Sequence, residues 1–194
     1  GLYAVHQSQV YPKDVTVEIN KLAQFIASEY HQASSKDWHW FEKKMTYDNA
    51  ILPYALFLAH EITPNNDLYQ IAIDSSLFLD HIIFHNTVPT LIGNAGWHAV
   101  NIPINSHGQQ PVEIASLILL YQKFNELVKD QFLKGTAKQC YSWYFGNNSM
   151  NQSLYDPETQ GCFDGIDKDT INYNQGAESV ISLWQSYLYI NHSF

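Results

Sequence analysis

The amino-acid sequence predicts an all-α protein whose helices form an incomplete ring of helical hairpins, an α/α toroid. Segments that are apolar on every side alternate along the chain with segments that are apolar on one side only. This alternation is typical of an inner helical layer covered by an outer one. Three of the fully apolar segments follow a similar polar opening at intervals of about sixty residues, which indicates a repeated helical unit. The periodic pattern gives about seven helices, fewer than a closed ring needs.

The outer helices are predicted from apolar residues that recur every three or four positions. Residues 15–30 show this spacing, and Asp14 is a suitable N-cap. Residues 67–83 repeat the pattern, and residues 125–145 hold further helical sequence with a break at residues 134–136. Each of these segments therefore has one side that can cover the inner layer.

The inner helices are predicted at residues 50–61, 111–121 and 177–190, where apolar residues surround the helix axis. A helix without a polar side is buried in a globular protein. Two long loops, residues 84–108 and 146–173, end close to the starts of the second and third inner helices. The loops and the helix starts are therefore expected at one end of the bundle, its mouth. An α-solenoid of stacked helix pairs is the competing architecture, although its repeats are usually shorter.

Chain length and charge limit the classes of function. The 194 residues fit a single domain, residues 1–194, and a fragment of a longer glycosyltransferase-like chain is the alternative. A net charge of −9 with only ten Lys and Arg argues against a nucleic-acid partner, because phosphate binding needs clustered basic residues. No apolar run reaches the length of a membrane span, and residues 1–10 lack the basic start of a signal peptide. The expected location is cytoplasmic.

No sequence motif calls for a metal ion or an organic cofactor. The nine His show no HExxH spacing, and neither an EF-hand loop nor a Gly-rich phosphate loop occurs. Cys140 and Cys162 form no CxxC pair, so a zinc site is not predicted. A disulfide between the two thiols and a reduced pair both fit the sequence. We therefore expect no metal and no cofactor.

The polar openings of the three inner helices are the leading candidates for function. Each opening places two amide or acid side chains before a small residue or proline; the pairs are Asp48 and Asn49, Gln109 and Gln110, and Asn174 and Gln175. Asn and Asp commonly cap helix N-termini, so one interpretation is purely structural. Gln is a poor cap, and amide and acid side chains can instead hold the hydroxyl groups of a saccharide. Both interpretations are open at this point.

Two glutamates occupy equivalent positions one turn into the second and third inner helices. These are Glu113 and Glu178, and the first repeat has Leu52 there, so any chemistry is asymmetric. Apolar surroundings raise the pKa of a carboxyl group, so the pair can act as acid and base on a glycosidic bond, with Asp48 or Glu42 as partner. The alternative is a capping box, in which each glutamate reaches back to its own helix start.

The chain is rich in aromatic residues, with thirteen Tyr, ten Phe and five Trp. Most such rings fill a core, but rings with polar edges also suit the faces of sugars. Trp38 and Trp40 lie just before the first inner helix, and Trp97 lies in the first long loop. These three rings are predicted either to stack against a sugar or to plug the end of the bundle.

Six segments carry a combination of motifs: Trp38-His39-Trp40-Phe41-Glu42, Thr46 through Pro53, Gly93-Asn94-Ala95-Gly96-Trp97, Gln109-Gln110-Pro111-Val112-Glu113, Tyr155 through Gly165, and Asn172 through Ser179. This combination resembles the helical domain that follows the nucleotide-sugar-binding part of many bacterial glycosyltransferases. The resemblance covers most of the chain after Trp38 and implies an α/α toroid related to six-hairpin glycosidases. It assigns no catalytic residue.

Two functions follow from this resemblance together with the polar openings. The first is a carbohydrate-related domain that binds or processes a saccharide at the mouth, in association with glycosyl transfer. The second is a non-catalytic module that accompanies a glycosyltransferase catalytic domain. The partners expected are therefore a saccharide and, in the second case, that catalytic domain.

Overall fold

The chain is mostly helical, as the sequence predicts. The computed structural model describes residues 1–8, 12–84, 88–128, 133 and 135–191. Within these ranges there are seven helices: α1 (Leu2–Gln7), α2 (Pro12–Ala33), α3 (Ile51–Ile62), α4 (Asn66–Ile83), α5 (Pro111–Leu127), α6 (Ala137–Ser142) and α7 (Ala177–Asn191).

Short antiparallel strand pairs fasten the connecting segments. The pairs are β1 (Lys44–Met45) with β2 (His98–Ala99), β3 (Tyr155–Asp156) with β4 (Gly161–Cys162), and β5 (Gly165–Ile166) with β6 (Ile171–Asn172). Gln109 and Ile166 also exchange backbone hydrogen bonds of 2.9 Å in both directions. The long loops predicted as irregular are therefore pinned to one another and to the start of α5.

The helices that the sequence marks as most apolar form a central row. Helix α5 packs between α3 and α7, while α2 and α4 pack against α3, and α6 packs against α5 and α7. Side chains such as Leu56, Phe57, Ile114 and Phe124 are fully buried between these helices. Burial does not follow the predicted inner and outer layers, because α4, predicted as outer, buries ten residues while α3, predicted as inner, buries four.

Helix α5 runs further than predicted, and a closely packed glycine precedes α6. Phe124 continues the buried face of α5 beyond residue 121, so the helix ends at Leu127. At Gly135 an added Cβ would lie 2.1 Å from the Phe84 ring, so only glycine fits against that ring. The Thr136 hydroxyl then accepts the Gln139 N–H as the N-cap of α6. Residue 134, the other part of the predicted break, lies outside the described residues.

The start of α2 differs from the prediction. The helix begins at Pro12, so Asp14 lies in its first turn and is not the N-cap. A carboxylate in the first turn still interacts favourably with the positive end of the helix dipole. Proline at a helix start has no N–H to leave unpaired, which explains the earlier beginning.

Helix α7 is buried on one side only, which corrects the prediction of burial all round. Ser179, Ser182, Leu183 and Ser186 are buried, whereas the opposite stripe is exposed. Small side chains let α7 approach α5 closely, so its buried side is the less hydrophobic one. The exposed stripe consists of Ile181, Trp184, Tyr187 and Leu188.

The two cysteines are both free and buried. The structure therefore decides between the two alternatives left open by the sequence, because Cys140 and Cys162 form no disulfide. Among the described residues, no helix has both the length and the apolar character that crossing a bilayer requires.

Candidate functional site

The starts of α3, α5 and α7 meet at one end of the bundle. The Glu113 carboxylate accepts hydrogen bonds from the backbone N–H groups of Asp48 (2.6 Å) and Asn49 (3.2 Å), just before α3. The Glu178 carboxylate accepts a hydrogen bond from the Tyr47 hydroxyl. Charge interactions also link Asp48 with both glutamates. The structure thus brings together three of the four carboxylates singled out from the sequence.

Glu113 is a positioning residue in this arrangement. Its side chain is almost completely buried, with 5% of the residue surface exposed. Burial raises its pKa to about 7, opposed by the hydrogen bonds from Asn49 and Asp48. Each carboxylate oxygen accepts an N–H of the loop before α3, so the protein itself holds this side chain in place. The capping-box alternative is wrong for Glu113, because the side chain reaches the start of α3 and not its own helix start.

Asp48 combines an unusual backbone with a carboxyl group of raised pKa. Its φ of 51° lies in the left-handed region, which Asp and Asn adopt more readily than most residues. Burial raises the pKa of its carboxyl group, the nearby Ser116 hydroxyl lowers it, and the charge of Glu178 raises it. The Oδ1 atom is buried and has no hydrogen-bond partner among the described residues.

Tyr47 and Glu178 form the exposed part of the same cluster. Both side chains are exposed, although burial of the hydroxyl end and the bond to Glu178 hold the pKa of Tyr47 well above its usual range. The pair ties the loop before α3 to the first turn of α7. Glu178 is therefore the carboxylate of this cluster that solvent and ligands reach most easily.

A polar cleft of about 300 Å³ opens beside this cluster, between the starts of α5 and α7. Its wall is built from those helix starts, the β5–β6 hairpin and the first long loop. The polar side chains of its lining residues are Asn94, Gln109, Gln110, Asp164, Asp167, Asn172, Glu178 and Ser179. Backbone N–H groups at helix starts lack helical acceptors, so the cleft offers both hydrogen-bond donors and acceptors.

Asp164 anchors the start of α7, a role that sequence reasoning missed. Its Oδ1 accepts the Gly176 N–H (2.7 Å) and the Ser179 hydroxyl (2.8 Å). The next residue, Gly165, lies against the start of α5, where an added Cβ would be 2.1 Å from the Gln109 carbonyl oxygen. The Asp-Gly dipeptide is a turn signal in the sequence, but its contact with two helix starts is tertiary.

Gln109 lies in the wall of the cleft, but its amide is used within the protein. The residue is 1% exposed. Its Oε1 accepts the Leu91 N–H (2.9 Å), and its Nε2 donates to the Ser149 hydroxyl (2.8 Å). Both ends of the amide therefore fasten the two long loops.

The structure gives no support to Asn49 and Gln175 as contacts for sugar hydroxyls, because their amides bond neighbouring protein groups. Asn49 donates to the Thr46 carbonyl (2.9 Å) and lies 3.4 Å from Glu113 Oε2. Gln175 accepts from the Thr159 hydroxyl and donates to the Asp156 carboxylate, each at 2.8 Å.

The other two amides of the predicted set have more open positions. Gln110 lines the polar cleft and is the N-cap residue of α5, without a side-chain capping bond. Asn174 is exposed beside the start of α7 but does not line the cleft. Gln109 and Gln110 both line the cleft, and Gln110 is the one of the two whose amide is not committed to the long loops.

The tryptophans predicted to stack on a sugar belong mainly to the core. Trp40 is 1% exposed and packs edge-on against Phe41. Trp38 is also buried, and its Nε1 donates to the Glu42 carbonyl (2.7 Å). Trp97 is partly buried against the core and does not line the cleft. The stacking assignment is corrected to core packing for Trp38 and Trp40.

Glu42 lies apart from the cluster that holds the other three carboxylates. Its side chain is exposed, and the residue does not line the cleft. Its carbonyl oxygen anchors Trp38. The structure therefore gives no support to Glu42 as the acid-base partner of the glutamates.

A second concave surface was not found from the sequence. It is a groove of about 230 Å³ lined by five aromatic rings and one leucine: Tyr141, Phe145, Tyr155, Leu183, Trp184 and Tyr187. The rings come from α6, the turn after it, β3 and α7. No local motif unites residues so far apart in the chain, and only the packing of α6 against α7 brings them together.

No protein-family model matches this chain, and no curated protein matches it. The resemblance to the helical domain of bacterial glycosyltransferases therefore stays a hypothesis that depends on the motifs themselves.

Proposed function

We propose that this chain is a saccharide-binding helical domain whose ligand occupies the polar cleft between the starts of α5 and α7. The observation that carries the proposal is the lining of that cleft, which joins amide and carboxylate side chains to two helix starts. Sugar hydroxyl groups both donate and accept hydrogen bonds, so they suit carboxylates, amides and free N–H groups at once. Glu178, held by Tyr47, and Gln110 are the central contacts in this proposal.

The proposal places the cleft in an incomplete α/α toroid. Its support is the central row of α3, α5 and α7, with α2, α4 and α6 packed against that row. In this architecture the starts of the inner helices line the mouth of the ring.

The motif resemblance connects the proposal with glycosyl transfer. Segments that carry the resemblance also build the site, since Asp48 and Glu113 join two helix starts while Asp164 and Gly176 join the hairpin to α7. In this view the chain holds an acceptor saccharide beside a glycosyltransferase catalytic domain. The domain itself then needs no catalytic group.

Glycan-array binding tests the proposed ligand class. The wild-type chain should bind a subset of saccharides, and Glu178→Gln should reduce that signal at least about tenfold, as expected for one charged hydrogen bond. Glu158→Gln is the matched control, because it makes the same chemical change at an exposed site outside the cleft. A wild-type chain without glycan binding, or a Glu178→Gln variant that binds as well as Glu158→Gln, would contradict the proposal.

A second candidate function is acid-base catalysis on a glycosidic bond. It is favoured by Asp48, whose raised pKa suits a general acid, and by the neighbouring Glu178 as a base. Hydrolysis of 4-nitrophenyl glycosides by the wild type, lowered at least about a hundredfold by Asp48→Asn, would support it. Asn also adopts a positive φ readily, so this variant should keep the fold. Absence of turnover by the wild type would rule this candidate out in favour of binding alone.

A further inference from the structure

The aromatic groove on the other side of α7 has a rigid and partly exposed lining. Ring centroids lie 5.2 Å apart for Tyr141 and Phe145, and 5.7 Å apart for Phe145 and Tyr155. Trp184 and Tyr187 are also 5.7 Å apart, and the Trp184 Nε1 donates to the Gln160 carbonyl (3.3 Å). These contacts fix the rings before any ligand arrives, so little rotamer entropy is lost on binding.

The exposed rings are too small a surface for a stable interface with a second copy. Phe145 is 47% exposed, Tyr187 43% and Trp184 41%. With about 150–250 Å² for each whole aromatic side chain, the three rings expose about 300 Å² in total. A standard protein interface buries about 800 Å² on each partner. The groove therefore matches a ligand of one or a few rings better than it matches another protein.

The chemistry of the groove selects an uncharged ligand with polar edges. Its six lining residues carry no charged side chain. No hydrogen bond within the described part of the chain uses the hydroxyl groups of Tyr141, Tyr155 or Tyr187, so these groups can serve a ligand. The chain carries a net charge of −9, which repels phosphate-bearing ligands. A pyranose ring fits these conditions, because its C–H face covers an aromatic ring while its hydroxyls reach the rim.

The geometry points to a second saccharide-binding subsite in this aromatic groove, for neutral pyranose units that stack on Trp184. The choice of a sugar as ligand rests on the proposed function of the polar cleft. The site itself is separate, because none of the six residues that line the groove lines the cleft.

Indole NMR signals give a direct readout of this subsite. The chain has five Trp, and among the described residues Trp184 is the exposed one, so a Trp184→Phe variant assigns its indole N–H signal. The probes are cellopentaose, maltopentaose, mannopentaose and chitopentaose, titrated one at a time. At least one probe should shift the Trp184 signal along a saturating curve, with a Kd of about 1 mM.

Substitutions on α7 separate stacking from general effects on the helix. Trp184→Ala should weaken binding of that probe about tenfold or more, measured by calorimetry. Ile181→Ala, which changes an exposed apolar residue of the same helix outside the groove lining, should leave the affinity unchanged. Tyr187→Ala provides a second groove variant in case Trp184→Ala does not fold.

Four results would overturn the subsite. The first is a Trp184 signal that none of the four pentasaccharides shifts, and the second is wild-type affinity in the groove variants. The third is a Trp184 signal that moves with protein concentration alone. The fourth is a Trp184 signal that moves when adenosine is added as a further probe but does not move with any of the pentasaccharides. The third result would instead indicate self-association, and the fourth an aromatic ligand. Array binding that does not depend on Glu178 would contradict the cleft and leave the groove intact, so the two proposals fail separately.

Discussion

Glu113 connects two helix starts through a carboxylate that is almost fully buried. A buried carboxylate is costly unless hydrogen bonds compensate for lost hydration. Here the compensation comes from the backbone N–H groups of Asp48 and Asn49. The carboxylate in turn satisfies N–H groups of a loop that passes through a left-handed conformation at Asp48. Glu113 and this loop therefore depend on each other.

Removal of this carboxylate should destabilise the fold. Glu113→Ala leaves the N–H groups of Asp48 and Asn49 without their acceptor, so we expect a loss of about 2–4 kcal/mol in the free energy of unfolding. Urea denaturation at neutral pH measures the loss. Glu158→Ala, at an exposed position, is the control and should change stability by less than about 0.5 kcal/mol. Equal stability of the two variants would contradict the positioning role.

The raised pKa of Glu113 also makes stability depend on pH. Burial moves this pKa from 4.5 to about 7 in the folded protein. The folded state therefore binds a proton more tightly than the unfolded state between these values. The resulting stabilisation is complete below pH 4.5 and is lost as the pH rises through 7.

A comparison of wild type with Glu113→Gln isolates this effect, because other titrating groups are shared. The stability of the wild type relative to the variant should fall by about 2–3 kcal/mol from pH 5 to pH 8. Thermal or urea unfolding at several pH values measures the difference. A difference that does not vary with pH would show that Glu113 titrates normally.

At the scale of elements, α7 depends on a residue outside its own sequence. Asp164 in the strand-linked loop accepts the Gly176 N–H and the Ser179 hydroxyl at the helix start. The same helix start forms one wall of the polar cleft. Order in this wall therefore depends on the hairpin that carries Asp164.

Loss of this anchor should loosen the first turn of α7. Asp164→Ala is expected to cost about 1–2 kcal/mol, the usual range for a lost helix cap, and to speed hydrogen exchange of the amides at residues 176–180. Asp167→Ala changes an exposed aspartate of the same hairpin and is the control. If both variants exchange at the wild-type rate in this segment, Asp164 does not hold the helix start.

The helices could be predicted from the sequence because their burial leaves a local pattern. The apolar run of α5 corresponds to real burial, and the period of α4 corresponds to its packing, whereas α3 buries only Pro53, Leu56, Phe57 and Ala59. Helix α7 shows the limit of this reasoning. Its buried side carries Ser179, Ser182 and Ser186, whose small side chains allow close packing, so the apolar composition wrongly predicted burial on all sides.

The candidate site could be predicted only in part, because the bonding partners of its side chains lie far away in the chain. The equivalence of Glu113 and Glu178 was visible as a repeat, and both do lie where helix starts meet. Their partners were not visible, because each glutamate bonds the loop before α3, far away in the chain. The burial of Gln109 and Trp40 likewise follows from tertiary contacts that no spacing records.

At the scale of the molecule, polar side chains are concentrated at one end of the central helix row. The starts of α3, α5 and α7 and the strand-linked loops meet there, around Asp48, Glu113 and Glu178. The remaining surface of α7 carries the aromatic groove. The two concave surfaces thus share one helix, with the polar cleft at its first turn and the groove further along it.

Backbone-amide NMR titration with the saccharide that binds best on the array tests the central claim most directly. We expect saturable shifts of the amide signals of residues 108–110 and 176–179, the two helix starts that line the cleft. Additional shifts at residues 183–187 would report the aromatic groove. Saturable binding that leaves residues 108–110 and 176–179 unshifted would contradict a saccharide site at the mouth of the helix row.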